Sequence, residues 1–315
     1  MNGSISWKAA RKGWTLYLFI VPALILVFGF AYLPASSAVY HSFFEWSGGV
    51  EKRFIGFENY IRAWKDPVFL ASFITVAILV VANVLKLIPS ILIAVLIHRL
   101  KSERWQYWYR VLVVVPMVVP SLVILFVWKS FLDPHAGALN RFLEATGSMR
   151  LLRWIDDVAG WGVFVDGQMP VWLGQPELII PSLIIWGFPW IGAVGVLVYL
   201  AGLQSIGAEV YESAELDGAN GWQKFWYIEL PLILTQVRIT LAMLVIGTLQ
   251  GFGFQLLLLG ENGGPESRGM VPGLWMYNQA FYEGQFGYAC ALGFIIFAAI
   301  LILVYLSNKY VRIEK

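Results

Sequence analysis

Between Glu209 and Pro231 the chain reads EVYESAELDGANGWQKFWYIELP, with five carboxylates (Glu209, Glu212, Glu215, Asp217, Glu229) and a single cation, Lys224. Carboxylates in this pattern, with no histidine or cysteine beside them, form a negative surface that accepts charge-assisted hydrogen bonds from a basic partner. The rest of the sequence offers little reactive chemistry. The three histidines, His41, His98 and His135, are scattered and form no HExxH; Cys290 is alone; and no GxxxxGK[ST] phosphate loop occurs. Asp156 and Asp157 are neighbours that most local structures point apart, so they read as a solvated loop pair. The chain is therefore expected to hold no catalytic residue, no metal and no cofactor of its own, and any ATP and Mg²⁺ chemistry is expected in a partner.

The elements that carry this connector are apolar. With 59% hydrophobic and 13% charged residues, the composition points to a bilayer as the solvent, and the near-balanced net charge of +2 gives no case for nucleic acid. A helix needs roughly 20 apolar residues to cross the hydrocarbon. Six segments qualify, near 14–33, 70–97, 108–130, 178–203, 232–260 and 285–307, so the fold class expected is an all-α membrane protein with six transmembrane helices. The first run, Trp14 to Leu33, exceeds the about 7 to 15 residues of a secretory signal core and reads as a retained span, with ASSA at 35–38 keeping cleavage as the lesser alternative. The stretch 158–173, interrupted by Asp166, Gly167 and Pro170, reads as a folded or interfacial excursion. Lysine and arginine are densest at Lys8, Arg11 and Lys12 and again at Arg99, Lys101, Arg104 and Arg110, which places both termini and the acidic connector in the cytoplasm.

Local rules divide the connector into two short helices. The first spans about 208–217 and ends at Gly218, which supplies the flexible joint. Asn220 is an N-cap for the second, on which Trp222, Phe225 and Trp226 share one face. Pro231 ends that helix and opens the fifth span. Passive contact with headgroups is one reading of this bracket. Helices that lie on lipid usually show lysine and arginine, however, whereas this one is net negative, which favours docking to a basic protein groove.

Glu212-Ser213-Ala214, then Gly218, Ile228 and Leu230-Pro231, resembles the EAA signature (EAA, x3, G, x9, I, x, LP) of permease subunits from binding-protein-dependent ABC importers, with only Ser213 departing from it. FIGFENY at 54–60 with Asp66-Pro67, LDGAxxWxxF at 216–225, GENGGPESRG at 260–269, YNQAF at 277–281 and FGYACAL at 286–292 resemble the sugar-importer branch that includes the maltose and glycerol-phosphate permeases. The resemblance implies a type I importer permease fold in a bacterial or archaeal inner membrane. It divides the chain into an N-terminal segment with the first span and outer loop (1–69), a core of five spans (70–307) containing the coupling loop 204–231, and a tail (308–315). It also implies a second permease subunit, two ABC ATPase subunits and an extracytoplasmic sugar-binding protein as partners. Carried over by position, Glu212 would meet an ATPase arginine, Ser213 and Ala214 would occupy the small positions, Asp217 and Gly218 would shape the turn, and Trp222 and Pro231 would fix the loop to the membrane helices.

In that family the transported sugar lies between the spans that flank the EAA loop. Here those spans contain IIWGFPWIGAVG (184–195) and IGTLQGFGFQ (246–255), which offer flat rings and fixed polar groups. Trp186, Trp190, Thr248 and Gln250 are the expected path residues, followed by Phe252 and Gln255, against the alternative that the tryptophans are lipid-belt anchors. Asn83 and Lys86 sit in the middle of the second span, where an ionisable group is costly enough to mark function; Lys86 is expected to pair with a partner subunit or a carboxyl group inside the bundle. A glycerol-phosphate-type substrate, an ion-coupled secondary transporter and a membrane enzyme are the alternatives. The second predicts acidic residues within the spans, and the third predicts clustered histidines or carboxylates.

Overall fold

The computed structural model describes residues 14–160 and 162–310, and the basic residues Lys8, Arg11 and Lys12 and the tail from 311 lie outside them. It divides into two compact units, one made of the chain up to Lys65 with Met276–Ile295, the other of Asp66–Trp275 with the chain from Ile296 onward. Three helices are individually long and apolar enough to cross a membrane, and three bent helix pairs bring the number to as many as six.

In the first unit the opening helix runs through Trp14–Val27, a wide turn at Phe28–Tyr32 and Leu33–His41, so it extends past the expected end at Leu33. Pro34 has no N–H to donate, and the wide turn, closed by Leu33 N–H on the Phe28 carbonyl, lets the helix continue across it. A hairpin follows, Phe44–Trp46 paired antiparallel with Lys52–Phe54 and with Phe44 opposite Phe54. Buried Asn59 donates to the Ser42 and Phe44 carbonyls at 2.9 and 3.0 Å and so fixes the base of the hairpin.

The second unit starts with a capped helix. The Asp66 carboxylate accepts from Val68 N–H and Phe69 N–H, both at 3.0 Å, and Pro67 occupies the first helical position, where its missing N–H costs nothing. The resulting helix, Pro67–His98, agrees with the expected second span. Its final turns present Ile91, Ala94 and Val95 to Val196, Tyr199, Leu200 and Leu203, with Phe225 and Ile233 closing the cluster.

The next three expected spans are interrupted. Residues 108–130 form two helices, Glu103–Val118 and Ser121–Phe131, bent by 88° where Pro116 and Pro120 withhold backbone donors. Residues 178–203 become Pro176–Ile185 and Ala193–Gln204, parted at Trp186–Gly192. Residues 232–260 become Leu234–Gln250 and Gly253–Leu259, parted at Gly251 and Phe252. Hydropathy averages over such breaks, while glycine and proline decide where the chain turns. The final helix, Phe286–Tyr310, follows the expected 285–307.

The segment between Phe131 and Pro176 folds on a small core, Leu132, Met149, Val163, Phe164 and Trp172, completed by Leu178 of the following helix. Its two helices are Ala138–Ala145 and Ser148–Ala159. The Asp156–Asp157 reading is corrected here. Asp156 lies within a helix and is buried, accepting from Val163 N–H and Phe164 N–H at 3.0 Å each, so its charge organises the following loop rather than meeting water.

Candidate functional site

The acidic connector folds as two helices, and the joint between them is set by local chemistry. Ala208–Leu216 ends with Gly218 at φ +77°; Gly218 N–H donates to the Glu215 carbonyl at 3.0 Å and Ala219 N–H to the Ala214 carbonyl at 2.9 Å, the double bond pattern of a Schellman end. Asn220 then accepts from Trp222 N–H and Gln223 N–H, and the Gln223 side chain accepts from Asn220 N–H at 2.8 Å, completing a reciprocal capping box. Pro231 does not end the second helix as expected. A wide turn over Phe225–Glu229 relieves the missing proline donor, the helix runs on to Leu232, and the chain bends by 65° at Ile233.

Within this bracket the acidic residues fall into two classes. Glu212 and Ser213 are exposed, and Ser213 joins Glu209, Ala214, Asp217 and Ile228 around a groove of about 440 Å³. Glu229 is fully buried and meets Arg99 in a two-point pair, Nε to Oε1 at 2.9 Å and Nη2 to Oε2 at 2.7 Å, while the same Nη2 donates to the Gly221 carbonyl at 2.6 Å. Beside it, Tyr211 Oη lies 3.2 Å from His98 Nε2, and burial together with the Glu229 charge pushes the Tyr211 phenol up to about 12. Lys224 pairs with exposed Glu215 at 2.7 Å and holds that carboxyl below its ordinary value. Of the aromatic face only Phe225 is buried; Trp222 and Trp226 pack against it and against each other while remaining exposed. Sequence reasoning missed Arg99 and Tyr211, because their partners lie on other helices.

The second site is the break at 186–192. A helix interrupted inside apolar surroundings leaves carbonyls and N–H groups that need partners. Lys86 Nζ lies 3.5 and 3.4 Å from the Leu183 and Trp186 carbonyls, Ser90 Oγ accepts from Gly192 N–H at 2.9 Å and donates to the Trp190 carbonyl at 3.3 Å, and the Trp190 indole donates to the Ile184 carbonyl at 3.1 Å. The expected pairing of Lys86 with a carboxyl group inside the bundle is thereby corrected: its contacts within the chain are carbonyls at the negative end of a helix. Trp190 itself sits at φ +61°, a left-handed conformation rare for a bulky residue, held by these bonds.

A cavity of about 470 Å³ opens beside the break, walled by Asn83, Lys86 and Ser90 from one helix, Trp186 and Trp190 from the break, and Thr240 and Met243 from the helix after the bracket. Thr248 reaches it indirectly, accepting from Asn83 Nδ2 at 3.1 Å. Gln250, Phe252 and Gln255 are not among the residues that line it; Gln250 lies about two turns beyond Met243 at the end of its helix, Phe252 and Gln255 follow the turn at Gly251, and Gln255 is buried. Ser90 and Thr240 are lining residues that sequence reasoning missed. For Ser90 a signal existed: Asn83, Lys86 and Ser90 recur at helical spacing in an otherwise apolar run.

Residues 90–312 match the family model described as the binding-protein-dependent transport system inner membrane component. Among relatives, the chain is 29% identical over 303 residues to the probable ABC transporter permease protein YurN of Bacillus subtilis, covering 95% of this chain and 96% of the relative. It is 29% identical to the diacetylchitobiose uptake system permease protein NgcF of Streptomyces coelicolor, over 92% of this chain and 80% of that one. It is 26% identical to the sn-glycerol-3-phosphate transport system permease protein UgpA of Agrobacterium fabrum, covering 94% of each. The crystal structure of a bacterial ABC transporter involved in the import of the acidic polysaccharide alginate superposes with a TM-score of 0.77 at 24% identity, over 98% of this chain and 99% of the other, and shares its fold. With the family model spanning more than two thirds of the sequence, the chain belongs to the inner-membrane components of binding-protein-dependent transport systems.

Proposed function

We propose that the chain forms half of the translocation path of an ATP-driven importer for a sugar or oligosaccharide, working by alternating access. It pairs with a second permease subunit, two ATPase subunits that carry ATP and Mg²⁺, and an extracytoplasmic sugar-binding protein, with both termini and 204–231 on the cytoplasmic side. The observation that carries the carbohydrate reading is the cavity at the break, in which two indoles stand beside the amide of Asn83 and the hydroxyls of Ser90 and Thr240. Flat apolar rings with a few fixed polar groups suit a sugar, whose ring faces are apolar and whose edges carry hydroxyls. The relatives named for diacetylchitobiose, for multiple sugars and for lactose support the same class.

Coupling is assigned to the bracket. Glu212 is its free acceptor for a basic ATPase residue, Ser213 and Ala214 give close approach, Asp217 and Gly218 set the turn, and Trp222 with Pro231 fixes the exit towards the path. Uptake assays of the assembled transporter with a panel of neutral sugars test the carbohydrate reading, with Trp190→Ala expected to raise the half-saturating concentration about tenfold, the order of one lost ring contact. A glycerol phosphate is the second reading, favoured by Lys86 in the cavity wall and by the UgpA relative. Uptake of glycerol phosphate against a neutral sugar by the parent transporter separates the two, the carbohydrate reading expecting only the neutral sugar to be carried.

A further inference from the structure

Two of the contacts described above come from one helix. At its cytoplasmic end His98 meets Tyr211 of the first bracket helix, and Arg99, the next residue, meets Gly221 and Glu229 of the second. Further along the same helix, Lys86 and Ser90 supply the partners that hold the break at 186–192. Thirteen residues separate Lys86 from Arg99, roughly 20 Å of helix at 1.5 Å per residue. The approach at Gly221 is close, since a Cβ there would stand 3.2 Å from Arg99 Nη1.

Resting on the coupling role proposed for the bracket, we infer that Arg99 is a positioning residue for transport. Through Glu229 and Gly221 it makes the bracket and helix Pro67–His98 move as one body, so that a displacement of the docked bracket reaches the path through Lys86 and Ser90. Three features of the geometry support a mechanical role over simple charge neutralisation. Glu229 has no solvent contact, so it has no alternative partner in water when the pair opens. A guanidinium fork engaging both carboxylate oxygens fixes direction as well as distance. Its further bond to the Gly221 carbonyl ties the start and the end of the second bracket helix to the same point, and the adjacent His98 holds the first through its single contact with Tyr211. The helix therefore has polar attachments at both places where motion would have to enter and leave, with apolar packing between them.

The test uses the assembled transporter in proteoliposomes and needs no transported substrate. With Cys290→Ala in the background, Met243→Cys places a thiol on the wall of the cavity, and its labelling by a water-soluble maleimide is followed with and without Mg-ATP and vanadate. Nucleotide trapping is expected to change the labelling rate at least about fivefold in the parent, the lower end of measured allosteric couplings. In Arg99→Gln the change falls below twofold while trapped nucleotide and ATPase co-purification stay at parent levels, and Arg99→Lys, which retains the charge, recovers part of it. Should Arg99→Gln not assemble, Glu229→Gln, which leaves no unpaired carboxylate, gives the same reading. A full labelling change in either glutamine variant overturns the positioning role while leaving the docking role of the bracket intact. Failure of the ATPase to co-purify with the parent chain overturns both.

Discussion

Glu212 and Glu229 stand seventeen residues apart in the same acidic connector and do opposite work. Glu229 is buried and held by Arg99, whereas Glu212 is exposed and, among the described residues, no hydrogen bond or ion pair within the chain engages it. Burial of a paired carboxylate makes its loss costly: Glu229→Ala removes both bonds to Arg99, which is itself a third exposed and can turn to water, and is expected to destabilise the chain by about 1 to 3 kcal/mol, read as a lowered melting temperature in detergent. Glu212→Ala is expected to leave that temperature unchanged, because an exposed side chain without internal partners contributes little. Gly218→Ala tests the joint. A Cβ there meets nothing within 4 Å, so the whole cost, about 1 to 2 kcal/mol, comes from holding a non-glycine residue at φ +77°. At this scale the sequence was readable wherever a residue acts on its own neighbours, as Asn220 and Gly218 do. It misled at Asp156, whose partners are the N–H groups of Val163 and Phe164, seven and eight residues on across a turn.

Elements were harder to read for a physical reason. The hydropathy that marks 178–203 as one span is a property of side chains, while the break at 186–192 is a property of the backbone, and the two coexist once polar side chains from a neighbouring helix satisfy the freed groups. The 88° bend at Pro120 and the division of the fifth span at Gly251 likewise lie where proline and glycine act on the backbone. The lining of the cavity follows from this: Trp186 and Trp190 reach it where the helix stops, while Phe252 and Gln255 come after the turn at Gly251 and, with Gln250, do not line it. Ser90 holds the far end of the break, at Trp190 and Gly192, so Ser90→Ala orphans the Gly192 N–H in apolar surroundings. It is expected to cost about 1 to 3 kcal/mol and to lower the melting temperature in detergent, with Ser90→Thr, which restores an acceptor, recovering part of the loss.

For the molecule as a whole, the helical breaks, the bracket and the cavity belong to one transport subunit, and the acidity that sets the connector apart from the lipid-facing remainder is the feature on which the proposed docking to a protein partner rests. The single lysine and the net negative charge argue against headgroups as that partner, and the exposed groove around Ser213, Ala214 and Asp217 offers a site where a basic helix end or arginine could seat. The most direct measurement is co-purification of the ATPase subunit with the tagged chain from solubilised membranes, parent against Glu212→Ala, alongside uptake by the same complexes. The ATPase is expected to co-purify with the parent and to be depleted at least about tenfold by Glu212→Ala, the loss of a charge-assisted bond worth roughly 1.5 kcal/mol or more, with uptake falling in step. Undiminished ATPase recovery and undiminished uptake in Glu212→Ala would contradict the assignment of the acidic bracket as the docking site for the motor.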